Sequence, residues 1–136
     1  MNELSLLDTK WAQLYYDPDT GIIHHHLTPE IESHHWQPLL SAGYKTLKEK
    51  GATKWLSDNR AMVNPIKDED NAWIYGTWLP ETMAAGWRYW AIIVPDEIAA
   101  REMMVDFINE FFAKGLRIMV FSQLEAGMAW LEAVDK

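Results

Sequence analysis

The sequence RYWAIIV at residues 88–94 decides the fold class of this 136-residue chain. It is a nearly continuous apolar run that ends at Pro95. Such a short, bounded apolar run is typical of a central β-strand that is covered on both faces. A strand of this kind needs helical layers on both sides of its sheet, so the flanking sequence is expected to supply helices.

The sequence that follows this strand predicts a helix from Asp96 through Lys114, with Phe111 and Phe112 among its inward residues. A last strand at residues 116–121 and a terminal helix complete the chain. Before the central strand, a helix is predicted from the acidic residues at 68–70 to Gly86, with an interruption at Pro80.

The N-terminal part of the chain predicts strands at residues 11–16, 22–27 and 53–57. The first two strands form a hairpin around the turn cluster DPDTG at residues 17–21. A helix is predicted between Thr28 and Gly51. Pro38 either kinks that helix, or the preceding stretch is irregular and the regular helix begins at the proline.

The predicted order of elements is β-β-α-β-α-β-α-β-α. Strands separated by full helices favour parallel crossovers, while the hairpin adds an antiparallel edge. We therefore predict a single α/β domain over residues 1–136, with its core at about residues 10–134 and a mixed β-sheet.

Composition excludes several classes of function. The chain has 12 Lys+Arg against 20 Asp+Glu, a net charge of −8 that disfavours nucleic acid and anionic lipid as partners. It has no cysteine, which excludes thiol catalysis, disulfides and Cys-ligated zinc. Neither an export signal nor an apolar run of about 20 residues is present, so we expect a cytoplasmic protein without membrane insertion.

Four segments carry a resemblance to a known family. They are KGATKWLSDNR at 50–60, WLP at 78–80, AAGWRYWA at 84–91 and FSQLEAGMAWL at 121–131. Together they resemble the bacterial branch of STAS-like, anti-sigma-factor-antagonist-like proteins over roughly residues 10–134. The resemblance implies a STAS-like fold and a regulatory role through protein–protein interaction.

Antagonist-type STAS domains carry Asp-Ser-Ser-Gly after the third strand, and one serine of that motif is phosphorylated to switch partner binding. The matching residues here are Ser57-Asp58-Asn59-Arg60. Asp58 matches the family aspartate, but Asn59 occupies the place of the phosphorylated serine. The resemblance therefore implies an interaction domain without the phospho-serine switch.

Three of the histidines have a spacing that could form a zinc site. Two strand imidazoles spaced i, i+2 and a helical one can supply three zinc ligands, and His24, His26 and His35 have that arrangement. The alternative is that these side chains are partly exposed polar residues at a sheet edge. We expect no cofactor and no bound metal. The alternative is a metal site formed by these three histidines.

Two groups of residues are candidates for binding a ligand or partner. Asp58, Asn59 and Arg60 follow a strand, where ligands gather in α/β sheets; alternatively, they fix the loop by a salt bridge or cap. The aromatic residues of the second predicted helix are either core or interface. The aromatic candidates are Trp73, Tyr75 and Trp78.

The sequence lacks a nucleophile elbow and a phosphate-binding glycine loop, and we predict that the protein is not an enzyme. We expect an interaction or regulatory domain whose partner is another protein or a second copy of the chain. The alternative is a protein that binds a small apolar ligand between the sheet and its helices. A histidine-based metal-dependent enzyme is a further alternative.

Overall fold

The computed structural model of the chain describes residues 3–99 and 102–136, without the side chains of residues 99, 102 and 103. It contains one six-stranded sheet in which the strands lie side by side in sequence order. The strands are β1 (Leu4–Asp8), β2 (Ala12–Asp17), β3 (Ile22–Leu27), β4 (Lys54–Asp58), β5 (Tyr89–Ile93) and β6 (Arg117–Phe121). Strands β1 to β3 are antiparallel and β3 to β6 are parallel, which confirms the predicted α/β class and mixed sheet.

Strand β1 is absent from the predicted order, which has five strands. It forms the outer edge of the sheet beside β2, with a register shift between Ser5 and Leu7. Most of its side chains are exposed, including Leu4 and Leu6. A strand without a buried face lacks the alternation by which sequence analysis detects strands.

Helices connect the parallel strands and follow the last one. They are α1 (Trp36–Lys50), α2 (Asp68–Trp73), a π-helical segment (Ile74–Trp78), α3 (Leu79–Ala84), α4 (Asp96–Ala99), α5 (Glu102–Ala113) and α6 (Leu124–Ala133). A 3₁₀ turn at Ser33–His35 precedes α1. Pro38 lies in the first turn of α1, where backbone N–H groups have no partner within the helix, so the proline does not interrupt the hydrogen-bond ladder.

The predicted helix from Asp96 to Lys114 corresponds to α4 and α5, and its middle lies outside the described residues. Its predicted inward face is wrong at Phe112, which is 65% exposed, whereas Phe111 is buried. Consecutive helical residues point about 100° apart, so only one of two neighbouring phenylalanines can face the core. None of the helices among the described residues has the length and apolar character needed to span a membrane.

The two faces of the sheet carry two separate cores. Right-handed crossovers that proceed in one direction along a sheet place their helices on the same side. The core on that side, here called the helical face, joins strand residues such as Ile23, Trp55 and Trp90 to Leu39 of α1 and other helical residues. The opposite side, here called the α6 face, has a smaller core around α6.

A close approach between helix and sheet occurs where α1 crosses β4. A Cβ atom at Gly43 would overlap the six-membered ring of Trp55 and would lie 2.7 Å from its Cζ3 atom. Trp55 is fully buried in the helical-face core. Glycine at position 43 therefore allows the indole ring to lie beneath the helix.

Candidate binding pocket

A cavity of about 320 Å³ lies between the helical face and the π-helical segment, at the carboxyl ends of β3, β4 and β5. Its lining is aromatic and aliphatic, with a few uncharged polar groups. The lining residues are His25, Trp36, Leu40, Ser57, Asn59, Ile66, Asn71, Ile74, Tyr75, Trp78, Trp90, Ile92, Val94, Ile98, Met104 and Phe107. Its position agrees with the rule that ligands bind at the carboxyl ends of strands in open α/β sheets.

Strand register places polar side chains on the floor of this pocket. His25, Ser57 and Ile92 are neighbours across three parallel strands. Because side chains alternate between the two faces of a strand, Ser57 and Asn59 follow Trp55 on the helical face. The intervening Asp58 points to the α6 face.

The π-helical segment forms one wall of the pocket. Pro80 has no N–H, so the α-helical hydrogen bond from residue 80 to the Gly76 carbonyl cannot form. The π-helical segment, whose turn is wider than that of an α-helix, ends at Trp78, two residues before this proline. Trp78 is anchored by its Nε1–H, which donates to the Leu40 carbonyl oxygen at 2.8 Å. This turn brings Tyr75 and Trp78 to the same cavity. Segments of this type occur frequently at functional sites.

A chain of hydrogen bonds organises the floor. Trp55 Nε1–H donates to His25 Nδ1 at 3.1 Å, and His25 Nε2 is 3.0 Å from Asn59 Oδ1. Ser57 Oγ accepts a hydrogen bond from Trp90 Nε1–H at 2.8 Å. Buried indole N–H groups require such partners, and these bonds fix the polar side chains beneath the aromatic rings.

The pocket has no charged lining residue near neutral pH among the described residues. Burial lowers the pKa of His25 to about 4, so its imidazole is neutral. Burial also raises the pKa of Tyr75, which therefore keeps its proton. A low-dielectric lining of this kind favours uncharged ligands, because an unpaired ion loses its hydration on entry.

Asp58 and Arg60 form a separate cluster on the α6 face. The Asp58 carboxylate has no exposed surface and accepts hydrogen bonds from Arg60 Nε at 2.9 Å and Nη2 at 2.8 Å. His26 Nδ1 is 2.9 Å from Asp58 Oδ2, the oxygen that also accepts from Arg60 Nη2. Although burial alone would raise it, these hydrogen bonds lower the pKa of Asp58 to about 2. Of the two alternatives for Asp58 and Arg60, the geometry shows the salt bridge that fixes the loop.

Of the six predicted binding residues, the structure brings Asn59, Tyr75 and Trp78 together in the pocket. Asp58 and Arg60 lie on the opposite face, and Trp73 packs on the edge of the helical-face core without lining the cavity. Other floor and wall residues are not among the predicted ones; these are His25, Ser57, Trp36 and Trp90. The alternation of β4, which places Ser57 on the same face as Trp55 and Asn59, is the sequence signal for Ser57.

The three histidines of the metal alternative do not converge. His26 is bound to Asp58, whereas His35 stacks on Trp11 with ring centroids 4.2 Å apart and accepts a hydrogen bond from the Glu32 backbone N–H. Within the described ranges, no group of three His, Asp or Glu side chains could hold a metal ion. The three-imidazole arrangement thus has no geometric support in the described structure.

His24 is a half-buried histidine whose two ring nitrogens are shielded from solvent and make no hydrogen bond within the described residues. Its side chain is 12% exposed, the Glu3 carboxylate lies 3.9 Å from Nδ1, too far for a hydrogen bond, and burial lowers the pKa of His24 to about 4. We expect His24→Phe to raise the free energy of unfolding by about 1 kcal/mol at pH 7, because two shielded nitrogens that make no hydrogen bond are removed.

The pH dependence gives this prediction a second readout. The pKa of His24 in the folded state is below its ordinary value of 6.5, so the unfolded chain binds the additional proton between about pH 6.5 and 4. The free energy of unfolding of the wild-type protein therefore falls over that window as the pH is lowered. The stability difference in favour of His24→Phe should widen accordingly. Urea unfolding from pH 8 to pH 5 measures it. The control is His34→Phe, at a 73% exposed imidazole; a His24→Phe variant less stable than wild type would contradict the prediction.

Comparison with known proteins finds no matching family model, no matching curated protein and no matching solved structure. The class defined by fold and site is therefore an α/β domain with an aromatic pocket at the carboxyl ends of its parallel strands.

Proposed function

We propose that this protein binds a small, mostly apolar molecule in the pocket on its helical face. The observation that carries the proposal is the cavity of about 320 Å³ with an aromatic and aliphatic lining. Cavities of a few hundred Å³ with few polar groups are typical of small-molecule sites. A dry apolar cavity of about 150 Å³ holds benzene, so this volume suits a ligand of about two fused rings.

Binding without catalysis is the proposed role. A general acid or base must have a titratable atom that is free to reach the substrate. Both ring nitrogens of His25 are already engaged in hydrogen bonds, and the raised pKa of Tyr75 keeps its phenol protonated. These two are the only ionisable side chains on the described lining, and neither supplies a proton acceptor near neutral pH.

We also propose a STAS-like fold without the phospho-serine switch. The alternation of parallel strands and helices from β3 to α6 supports this proposal, because it follows the order that the resemblance implies. Ser57 is 1% exposed and its oxygen accepts the Trp90 N–H, while the Asn59 amide is bonded to His25. Position 59 has no hydroxyl for a kinase, and the hydroxyl at 57 is buried.

An interaction domain that contacts a protein partner or a second copy is the second candidate. The observation that favours it is the outer side of α5, where Val105 is 57% and Phe112 is 65% exposed. Exposed apolar side chains that lie near one another mark interfaces more often than isolated ones do. Sedimentation equilibrium of the full chain tests self-association.

Methyl NMR with 1-ethylnaphthalene as the probe tests the binding function. We expect the methyl resonances of Ile74 and Ile92, which line the pocket, to shift on titration. The methyls of Ile22 and Ile93 are buried in the separate core of the α6 face and should stay unchanged. Because both pairs are buried isoleucines, the comparison separates pocket binding from a general effect of the probe.

A matched pair of variants in the β4–α2 loop completes this test. Ile66 lines the pocket, whereas Val63 is 69% exposed and does not. Ile66→Trp should fill the cavity and weaken probe binding at least tenfold, while Val63→Trp should leave it unchanged. Absence of pocket-specific shifts in the wild-type protein, or equal binding by the two variants, would refute the proposed function.

A further inference from the structure

The hydrogen-bond chain on the pocket floor has a defined direction. An indole N–H can only donate, so His25 Nδ1 accepts from Trp55 and carries no proton. A neutral imidazole then holds its proton on Nε2. His25 Nε2–H must therefore donate to the group opposite it, which is Asn59 Oδ1 at 3.0 Å.

This direction fixes the orientation of the Asn59 amide. Because Oδ1 accepts from His25, the NH₂ group is on the other branch of the amide. The Asn59 backbone is also held, since its N–H donates to the Ile93 carbonyl at 2.9 Å and its carbonyl accepts from the Met62 N–H at 3.2 Å. No described residue accepts a hydrogen bond from Asn59 Nδ2, so a residue that lines the pocket offers a free donor.

Ser57 adds a second donor beside the first. Its oxygen accepts from Trp90 Nε1–H, and its own hydroxyl proton has no acceptor in the described part of the chain. Ser57 and Asn59 lie two residues apart and both line the pocket, so their side chains face the same part of its floor. Asn71 and Tyr75 carry uncharged polar groups on the wall, and Asn71 Nδ2 donates to the Ile66 carbonyl at 3.4 Å.

We propose that the pocket selects neutral apolar molecules that carry a carbonyl group, and that Asn59 Nδ2 and the Ser57 hydroxyl recognise the carbonyl oxygen. This inference rests on the proposed binding function. A ketone, ester or amide oxygen is a pure acceptor and matches the two floor donors. A carboxylate is disfavoured, because the described lining holds no cation to compensate its lost hydration.

Three naphthalene probes of similar shape test this selectivity in the wild-type protein. 1-Acetylnaphthalene replaces one CH₂ of 1-ethylnaphthalene by a carbonyl, and 1-naphthoate is the anionic analogue. We expect the ketone to bind about fivefold more tightly than the hydrocarbon, the effect of one neutral hydrogen bond. The naphthoate should bind more weakly than either.

The outcomes separate the two proposals. If the hydrocarbon binds in the pocket and the ketone binds equally or more weakly, the carbonyl inference is overturned and the binding function stands. If none of the probes shifts the pocket methyls, the binding function itself fails. Tightest binding by naphthoate would overturn the selectivity for neutral ligands.

Asn59→Asp tests the role of the amide donor. The carboxylate still accepts from His25 Nε2–H but replaces the NH₂ donor by an oxygen, so the preference for the ketone over the hydrocarbon should disappear. Ser57→Ala is the second variant and should reduce that preference about twofold. A ketone preference that survives in both variants would contradict the assigned donors. The wild-type probe series decides the proposal if either variant fails to fold.

Discussion

Replacing Gly43 by alanine is expected to lower the free energy of unfolding by about 2 kcal/mol. In an exposed helix the same change would stabilise by about 1 kcal/mol. Here the added Cβ would overlap the ring of Trp55, which is fully buried and contacts the rings of Trp78 and Trp87. Overpacking a filled core costs about 1–3 kcal/mol, and a ring with buried neighbours on several sides places this site near the upper end. Subtracting the helical gain of about 1 kcal/mol leaves a net loss of about 2 kcal/mol.

Urea unfolding followed by tryptophan fluorescence measures this effect. The matched control is Gly76→Ala, because a Cβ at Gly76 has no described atom within 4 Å and Gly76 does not have positive φ. The free energy of unfolding of Gly76→Ala should equal that of wild type or exceed it by up to about 1 kcal/mol. Equal stability of Gly43→Ala and wild type would show that the Trp55 ring can move aside, contrary to the packing described above.

Asp58→Asn should also cost about 2 kcal/mol of stability at pH 7. The Asp58 carboxylate is fully buried and holds both Arg60 and His26. An asparagine of the same shape offers one acceptor oxygen and places an NH₂ group against the donors of Arg60 or His26. Removing one partner of a buried ion pair costs about 3–5 kcal/mol, and the partial exposure of Arg60 and His26 reduces that loss.

The sign of the pH dependence follows from the lowered pKa of Asp58. Its pKa is about 2 in the folded state against 3.8 ordinarily, so the stabilisation is present above about pH 4 and is lost as pH falls towards 2. The difference in stability between wild type and Asp58→Asn should therefore shrink over that window. Urea midpoints at pH 7, 4 and 3 measure it. Asp106→Asn, at an exposed residue of α5, serves as the control; a difference that does not change with pH would contradict the assignment.

The elements that sequence analysis could predict are those whose pattern reflects burial. Strand β5 is an apolar run, and β2 and β3 flank a recognisable turn, whereas β1 at the exposed edge has no such signal. Asn59 and Trp78 were predicted as binding residues on their types and positions. Asp58 and Arg60 lie on the opposite face from Asn59 because the alternation of β4 continues into the loop that follows it.

The remaining pocket residues depend on tertiary geometry. The burial of His25 on the helical face depends on the register of β3 against β4, which turn length and neighbouring strands determine. Tyr75 and Trp78 both line the cavity from the π-helical turn, a departure from α-helical geometry that depends on the packing around Pro80. Neither the register nor the turn can be read from local propensities.

The sequential order of the sheet bears on how the chain folds. Every strand pairs with the strand that precedes it in the sequence, so each pairing closes only one hairpin or one crossover. Local closure of this kind carries a smaller entropy cost than pairing between distant segments and is associated with faster folding. During synthesis the sheet can grow at one edge as each strand emerges. The C-terminal helix α6 packs against β4, β5 and β6, so it can dock once these three strands are in place.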